Sequence, residues 1–141
     1  MSMIVFNFGP LSKNELTIRF DAKGAAKFLS AIADISKGEG EGESIIIDCF
    51  QYSRRTIVAA RIEIKKEDKE RLEMSDGRLA LGMSDEAFEY AEFLLEKFIK
   101  IGGFSPSEFY GFSRKNRKCD TQVFFVKFSS NELVISSNGI N

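Results

Sequence analysis

The sequence predicts an α+β fold: a tandem ββαββ duplication, with antiparallel sheets carrying two amphipathic helices. Three observations predict it. Short segments of alternating apolar and polar residues switch twice to a helical spacing. A side chain suited to capping stands just ahead of each helical stretch. The third observation is internal similarity. Leu16, Ile18, Phe20 and Asp21 match Leu79, Leu81, Met83 and Ser84, each 63 positions later, and Ala25, Phe28, Ile32 and Ile35 match Phe88, Ala91, Leu95 and Phe98 at that same offset. "FQYSRR" (50–55) then matches "YGFSRK" (110–115) at 60 positions, and Val58, Ala60, Arg61 and Ile62 match Phe124, Val126, Lys127 and Phe128 at 66. Each change of offset falls in a connection, where an insertion costs least. The reading is a single domain over 1–141, made of repeats at 3–65 and 70–128, with 129–141 as an added strand or tail.

The elements follow in order. "MIVFNF" (3–8) and "NELTIRF" (14–20) form a hairpin, with Leu16, Ile18 and Phe20 on one face and Glu15, Thr17 and Arg19 on the other. Asp21 caps a helix that runs to Ser36, along which Ala25, Phe28, Leu29, Ile32 and Ile35 form one stripe. "KGEGEGE" (37–43) ends it, because three glycines and repeated like charges do not sustain order. "SIIIDCF" (44–50) and "TIVAARIEIK" (56–65) form a second hairpin, with Val58, Ala60, Ile62 and Ile64 toward the core. "RLEM" and "RLALGM" flank "SDG", where Asp76-Gly77 reads as a type I′ turn. Ser84 caps the second helix, with Asp85 and Glu86 at its positive end, and Gly102-Gly103 stops it. "EFYGF" and "TQVFFVKF" complete the set, and Ile57, Ala59, Val123 and Phe125 oppose the core face.

Composition narrows the function. Of 141 residues 43% are hydrophobic and 29% charged, a globular balance, and the net charge of -1 provides no overall field for polyanions or anionic membrane. Histidine is absent, which removes Ser-His-Asp and Cys-His nucleophiles and the commonest metal ligand. No catalytic constellation, metal site or cofactor motif is expected, and the chain is read as a non-enzyme. Two cysteines point to a reducing cytoplasm, Cys49 as a core residue and Cys119 as a surface one. No leader or membrane-spanning run is evident.

Two surfaces remain as candidates. On the second helix Phe93 stands alone on the polar half, with Glu89, Glu92 and Glu96 as neighbours. An aromatic inside an acidic surround has the layout of a protein-binding anchor with a charged rim, although an aromatic there also suits a covering loop or tail. The alternative is an anionic-ligand patch on the hairpin tips: Arg54, Arg55, Arg114, Lys115, Arg117 and Lys118. Tyr110 or Phe112 would stack a base there, but the acidic balance argues against nucleic acid. Asp48 and Glu63 are candidate members of a carboxylate cleft between the repeats, but the more economical role for Asp48 is to face outward or to pair with an arginine such as Arg61 on the neighbouring strand.

"SDEAFEYAEFLLEKFI", "SEFYGF" and "TQVFFVKF" together resemble the small α+β immunity proteins of bacterial polymorphic-toxin systems: a capped helix after a short strand, then an aromatic strand and an apolar one. The resemblance covers 79–128, and the strand histidines of some of these families are missing. It implies a cytoplasmic inhibitor that occupies a cognate toxin domain stoichiometrically, with Phe93 as anchor and the helix carboxylates steering a basic partner. A homodimer is the remaining open form of partnership.

Overall fold

The computed structural model describes residues 2–9, 12–38 and 43–129. Its elements are β1 (Ile4–Phe8), β2 (Glu15–Phe20), α1 (Ala22–Lys37), β3 (Ser44–Ser53), β4 (Thr56–Lys66), β5 (Arg71–Ser75), β6 (Arg78–Met83), α2 (Asp85–Ile101), β7 (Glu108–Arg114) and β8 (Thr121–Lys127). Both helix starts are set by the expected caps. The Asp21 carboxylate accepts from the Gly24 amide at 2.6 Å, and Ser84 Oγ accepts from the Ala87 amide at 3.3 Å. Gly102 closes α2 in the left-handed conformation, its amide donating to the Phe98 carbonyl.

The hairpins form, but the expected α+β fold, a tandem ββαββ duplication with antiparallel sheets, does not. All eight strands close into one mixed barrel in the order β1-β2-β8-β7-β5-β6-β4-β3. The antiparallel hairpins are joined by four parallel contacts. Two are long: β2 with β8 from Glu15↔Gln122 to Phe20↔Lys127, and β4 with β6 from Arg61↔Arg78 to Lys66↔Met83. Two are short seams, Val5↔Phe50 and Phe6↔Gln51 between β1 and β3, and Arg71↔Ser113 and Leu72↔Arg114 between β5 and β7. The physical reason is edge satisfaction. A hairpin leaves two rows of unpaired backbone donors and acceptors, and closing the ring pairs them. A sequence pattern shows which face of a strand is apolar, but not which strand lies at its edge.

Pairing also corrects the register of the last strand. Leu16↔Val123 and Ile18↔Phe125 put Thr121, Val123 and Phe125 on the core face, so Val123 and Phe125 do not oppose it. The 66-position match is therefore displaced, and a one-residue slip exchanges every side chain between faces. "QVFFVKF" is apolar on both faces, which is why alternation did not decide it. The 60-position match shifts too: Val5↔Phe50 and Arg71↔Ser113 are corresponding seam pairs, making Arg114 the counterpart of Gln51. At the Asp76-Gly77 turn only Gly77 has positive φ, so the turn is not type I′. Positive φ at both central residues occurs instead at Arg54 (51°) and Arg55 (67°), between the paired Ser53 and Thr56.

One core results. Ile4, Phe6, Ile18, Phe20, Ile62, Leu81, Phe112 and Phe125 from the strands meet Phe28, Ile32, Phe88 and Leu95 from the helices. Val58 lies beyond it, exposed near the β4 rim, as do Ile99 and Ile101 in the last turn of α2. The remaining anticipated strand or tail, over 130–141, lies outside the described residues, as do 39–42 of the glycine-rich connection.

The alternation of parallel and antiparallel pairs makes β1, β3, β5 and β7 run one way and the even strands the other. Each helix connects the end of an even strand to the start of an odd one. Both helices therefore enter and leave at one end of the barrel, while all four hairpin tips gather at the other.

Candidate functional site

The helix end carries an aromatic groove. Phe93 is 54% exposed on α2, and its ring lies parallel to that of Tyr90 with centroids 6.3 Å apart. Tyr90 in turn stacks on Phe109 of β7 at 6.1 Å, and Phe109 on Phe125 of β8 at 4.6 Å. Phe93 is thus the outer member of a file of rings rooted in the core. It is held from below, and the Lys97 ammonium stands 5.9 Å from its centroid. Beside it opens a groove of about 430 Å³ lined by Glu86, Glu89, Tyr90, Phe93 and Tyr110. Burial, then the charges of Glu86 and Glu70 and the neighbouring Tyr90, push the Tyr110 phenol above its ordinary 10.0. The groove combines ring faces with carboxylates, a chemistry that receives a lysine or arginine side chain.

Of the expected rim, only Glu89 lines this groove. Glu92 is turned toward the other helix, where its carboxylate accepts from Ser36 Oγ at 3.1 Å. Glu96 is exposed on α2 but outside the groove lining. Sequence reasoning did not place Glu86, Tyr90 or Tyr110 in this groove, and assigned Tyr110 to the hairpin tips instead. Helical spacing carried a signal for Tyr90, three residues before Phe93, whereas Tyr110 comes from another strand and had none.

The hairpin end carries the second surface. A cavity of about 520 Å³ opens there, lined in part by Phe8, Lys13, Gln51, Met74, Arg114 and Arg117. The Arg114 guanidinium lies 5.0 Å from the Phe8 ring centroid. Burial, then the charge of Arg117, lower the proton affinity of Arg114 from its ordinary value. Lys115 faces a neighbouring cleft with Leu72, Glu73 and Met74, while Arg54, Arg55 and Lys118 are exposed at their tips and outside the cavity lining. The basic candidates therefore divide: Arg114 and Arg117 converge and the others do not. Phe112, offered as a stacking residue, is fully buried, and Tyr110 belongs to the aromatic groove instead.

The remaining carboxylates do not form a cleft. Asp48 is exposed directly across from Arg61, and Glu63 pairs with Arg78 at 3.7 Å. Among the described residues no group of three His, Cys, Asp or Glu side chains is placed to hold a metal, and no helix is long and apolar enough to cross a membrane. Cys49 and Cys119 are both free thiols, buried and exposed respectively. Comparison with protein-family models, with curated proteins and with solved structures finds no match to this chain.

Proposed function

We propose that this chain is a stoichiometric protein-binding inhibitor of the immunity type, acting in the cytoplasm on a basic toxin domain. The observation that carries it is the exposed Phe93, stacked on Tyr90 at the edge of a groove lined by Glu86 and Glu89. An aromatic anchor already fixed by stacking loses little freedom on binding. The carboxylates around it select a partner with projecting cations and speed its approach. The free thiols are consistent with a reducing compartment.

The test is a titration with a basic nuclease-type toxin domain, following complex formation by calorimetry and stopped-flow. A one-to-one complex is expected, weakened by about 2 kcal/mol or more in Phe93→Ala. The same change costs less than about 1 kcal/mol of folding stability, because a half-exposed ring leaves no closed cavity. Reversing Glu86 and Glu89 slows association more than it speeds dissociation. Tight binding that is indifferent to all three residues would remove this groove as the interface.

A further inference from the structure

We propose that the mouth of the barrel, at the end opposite the helices, binds a small organic oxyanion, a phosphate ester or a carboxylate with an apolar portion. The topology builds the site. The four odd strands all end at this mouth, and Phe8, Gln51, Met74 and Arg114, one from each near its end, line the recess there. Two residues back on the same strands lie Phe6, Cys49, Leu72 and Phe112, all buried in the apolar core. Corresponding seam pairs supply facing members of the rim: Gln51 from β3 and Arg114 from β7.

Charge determines what the recess receives. Lys13, Arg114 and Arg117 line it, and among the described residues no carboxylate does. Among the described residues Arg114 has no carboxylate within ion-pair distance; its defined contact is the ring of Phe8. A ring face holds a guanidinium by cation–π attraction without using up its N–H donors, which phosphate and carboxylate accept in pairs. Arg117 is close enough to disfavour the charge on Arg114, and an anion between them relieves that repulsion.

Volume and lining determine the rest. About 520 Å³ falls in the range of small-molecule sites and far exceeds a bare phosphate. Phe8 and Met74 offer apolar wall for the remainder of the ligand, and the Gln51 amide offers a directional contact. A polynucleotide is the poorer match, because Arg54, Arg55 and Lys118 lie outside the recess and the chain as a whole is acidic.

The experiment titrates the full chain, isotopically labelled, with phenyl phosphate, benzoate and inorganic phosphate at low ionic strength, reading backbone amide shifts. Saturable shifts at Gly9, Gln51, Met74 and Arg114 are expected, with phenyl phosphate binding more tightly than inorganic phosphate. The ranking of phenyl phosphate against benzoate identifies which oxyanion the site takes. Arg114→Gln and Arg117→Gln each weaken binding by about tenfold or more. Lys118→Gln, on the same tip but outside the recess, changes it by no more than about twofold. Thermal melts of each variant establish that it is folded, and Arg117→Gln serves alone if Arg114→Gln is not. Absence of saturable shifts with both organic probes would overturn the proposal, and so would equal losses in Lys118→Gln and Arg114→Gln. Displacement of phenyl phosphate by a single-stranded oligonucleotide whose binding depends on Arg54 and Arg55 would replace it with a polyanion track.

Discussion

Gly24 has no room for a side chain. A Cβ at this position would run into the Met3 carbonyl oxygen, a backbone atom that cannot swing aside. On an exposed helix, alanine in place of glycine stabilises by about 1 kcal/mol. Here the sign reverses: Gly24→Ala is expected to destabilise by about 2 kcal/mol or more, read as a lower midpoint in denaturant. Cys49 supplies a second prediction. Burial, with Asp48 adding to it and Lys27 opposing, pushes its thiol from the ordinary 9.0 up to about 12. The folded chain keeps a proton that the unfolded chain gives up. The stability this group contributes is therefore complete below pH 9.0 and lost as pH rises toward about 12. Tyr110, also raised, acts with the same sign. Denaturation midpoints measured across the alkaline range should fall, and less steeply in Cys49→Ala. A midpoint independent of pH in that range would show that the thiol is not desolvated.

The two helices look alike in the sequence but are fastened differently. Asp21 accepts from the Gly24 amide at 2.6 Å and also from the Met3 amide at 2.9 Å, so one carboxylate ties the start of α1 to the residue just ahead of β1. The Ser84 side chain accepts from the Ala87 amide at 3.3 Å and, among the described residues, makes no second such tie, while its own amide is held by Glu70. Asp21→Ala is therefore expected to cost about 2 kcal/mol and Ser84→Ala about 1 or less, compared by chemical denaturation. Both caps were legible in advance, because capping is decided by the few residues on either side. So was the helical stripe from Phe28 to Ile35. The partner of β2 was not legible. Leu16 meets Val123 across a parallel contact that no local pattern marks, and the two-faced apolar run of β8 concealed its register. The sites followed the same division. Phe93 could be picked out from one helical wheel, whereas Tyr110 and Lys13 join their sites through the fold.

Across the whole molecule, each four-stranded arc draws on both halves of the chain. β1 and β2 share an arc with β7 and β8, and β3 and β4 share one with β5 and β6. Residues 2–66 expressed alone would retain two hairpins and a helix but lose the long partners of β2 and β4. Such a fragment is expected to show no cooperative unfolding transition, and mixing it with 67–141 should restore one. A first half that melts cooperatively by itself would contradict the dependence on β6 and β8. Charge is divided as well: Lys13, Arg54, Arg55, Lys115, Arg117 and Lys118 occupy the hairpin tips, while Asp85, Glu86, Glu89, Glu92 and Glu96 line α2. A net charge near zero thus conceals a basic end and an acidic helix at opposite ends of the barrel. The contact of β2 with β8 also has a consequence for synthesis. As the chain leaves the ribosome, the outer edge of Glu15–Phe20 emerges early, yet its partner Thr121–Lys127 is made only after everything between them. Throughout that interval the nascent protein exposes an unsatisfied strand edge, a surface open to pairing with other chains until the ring can close.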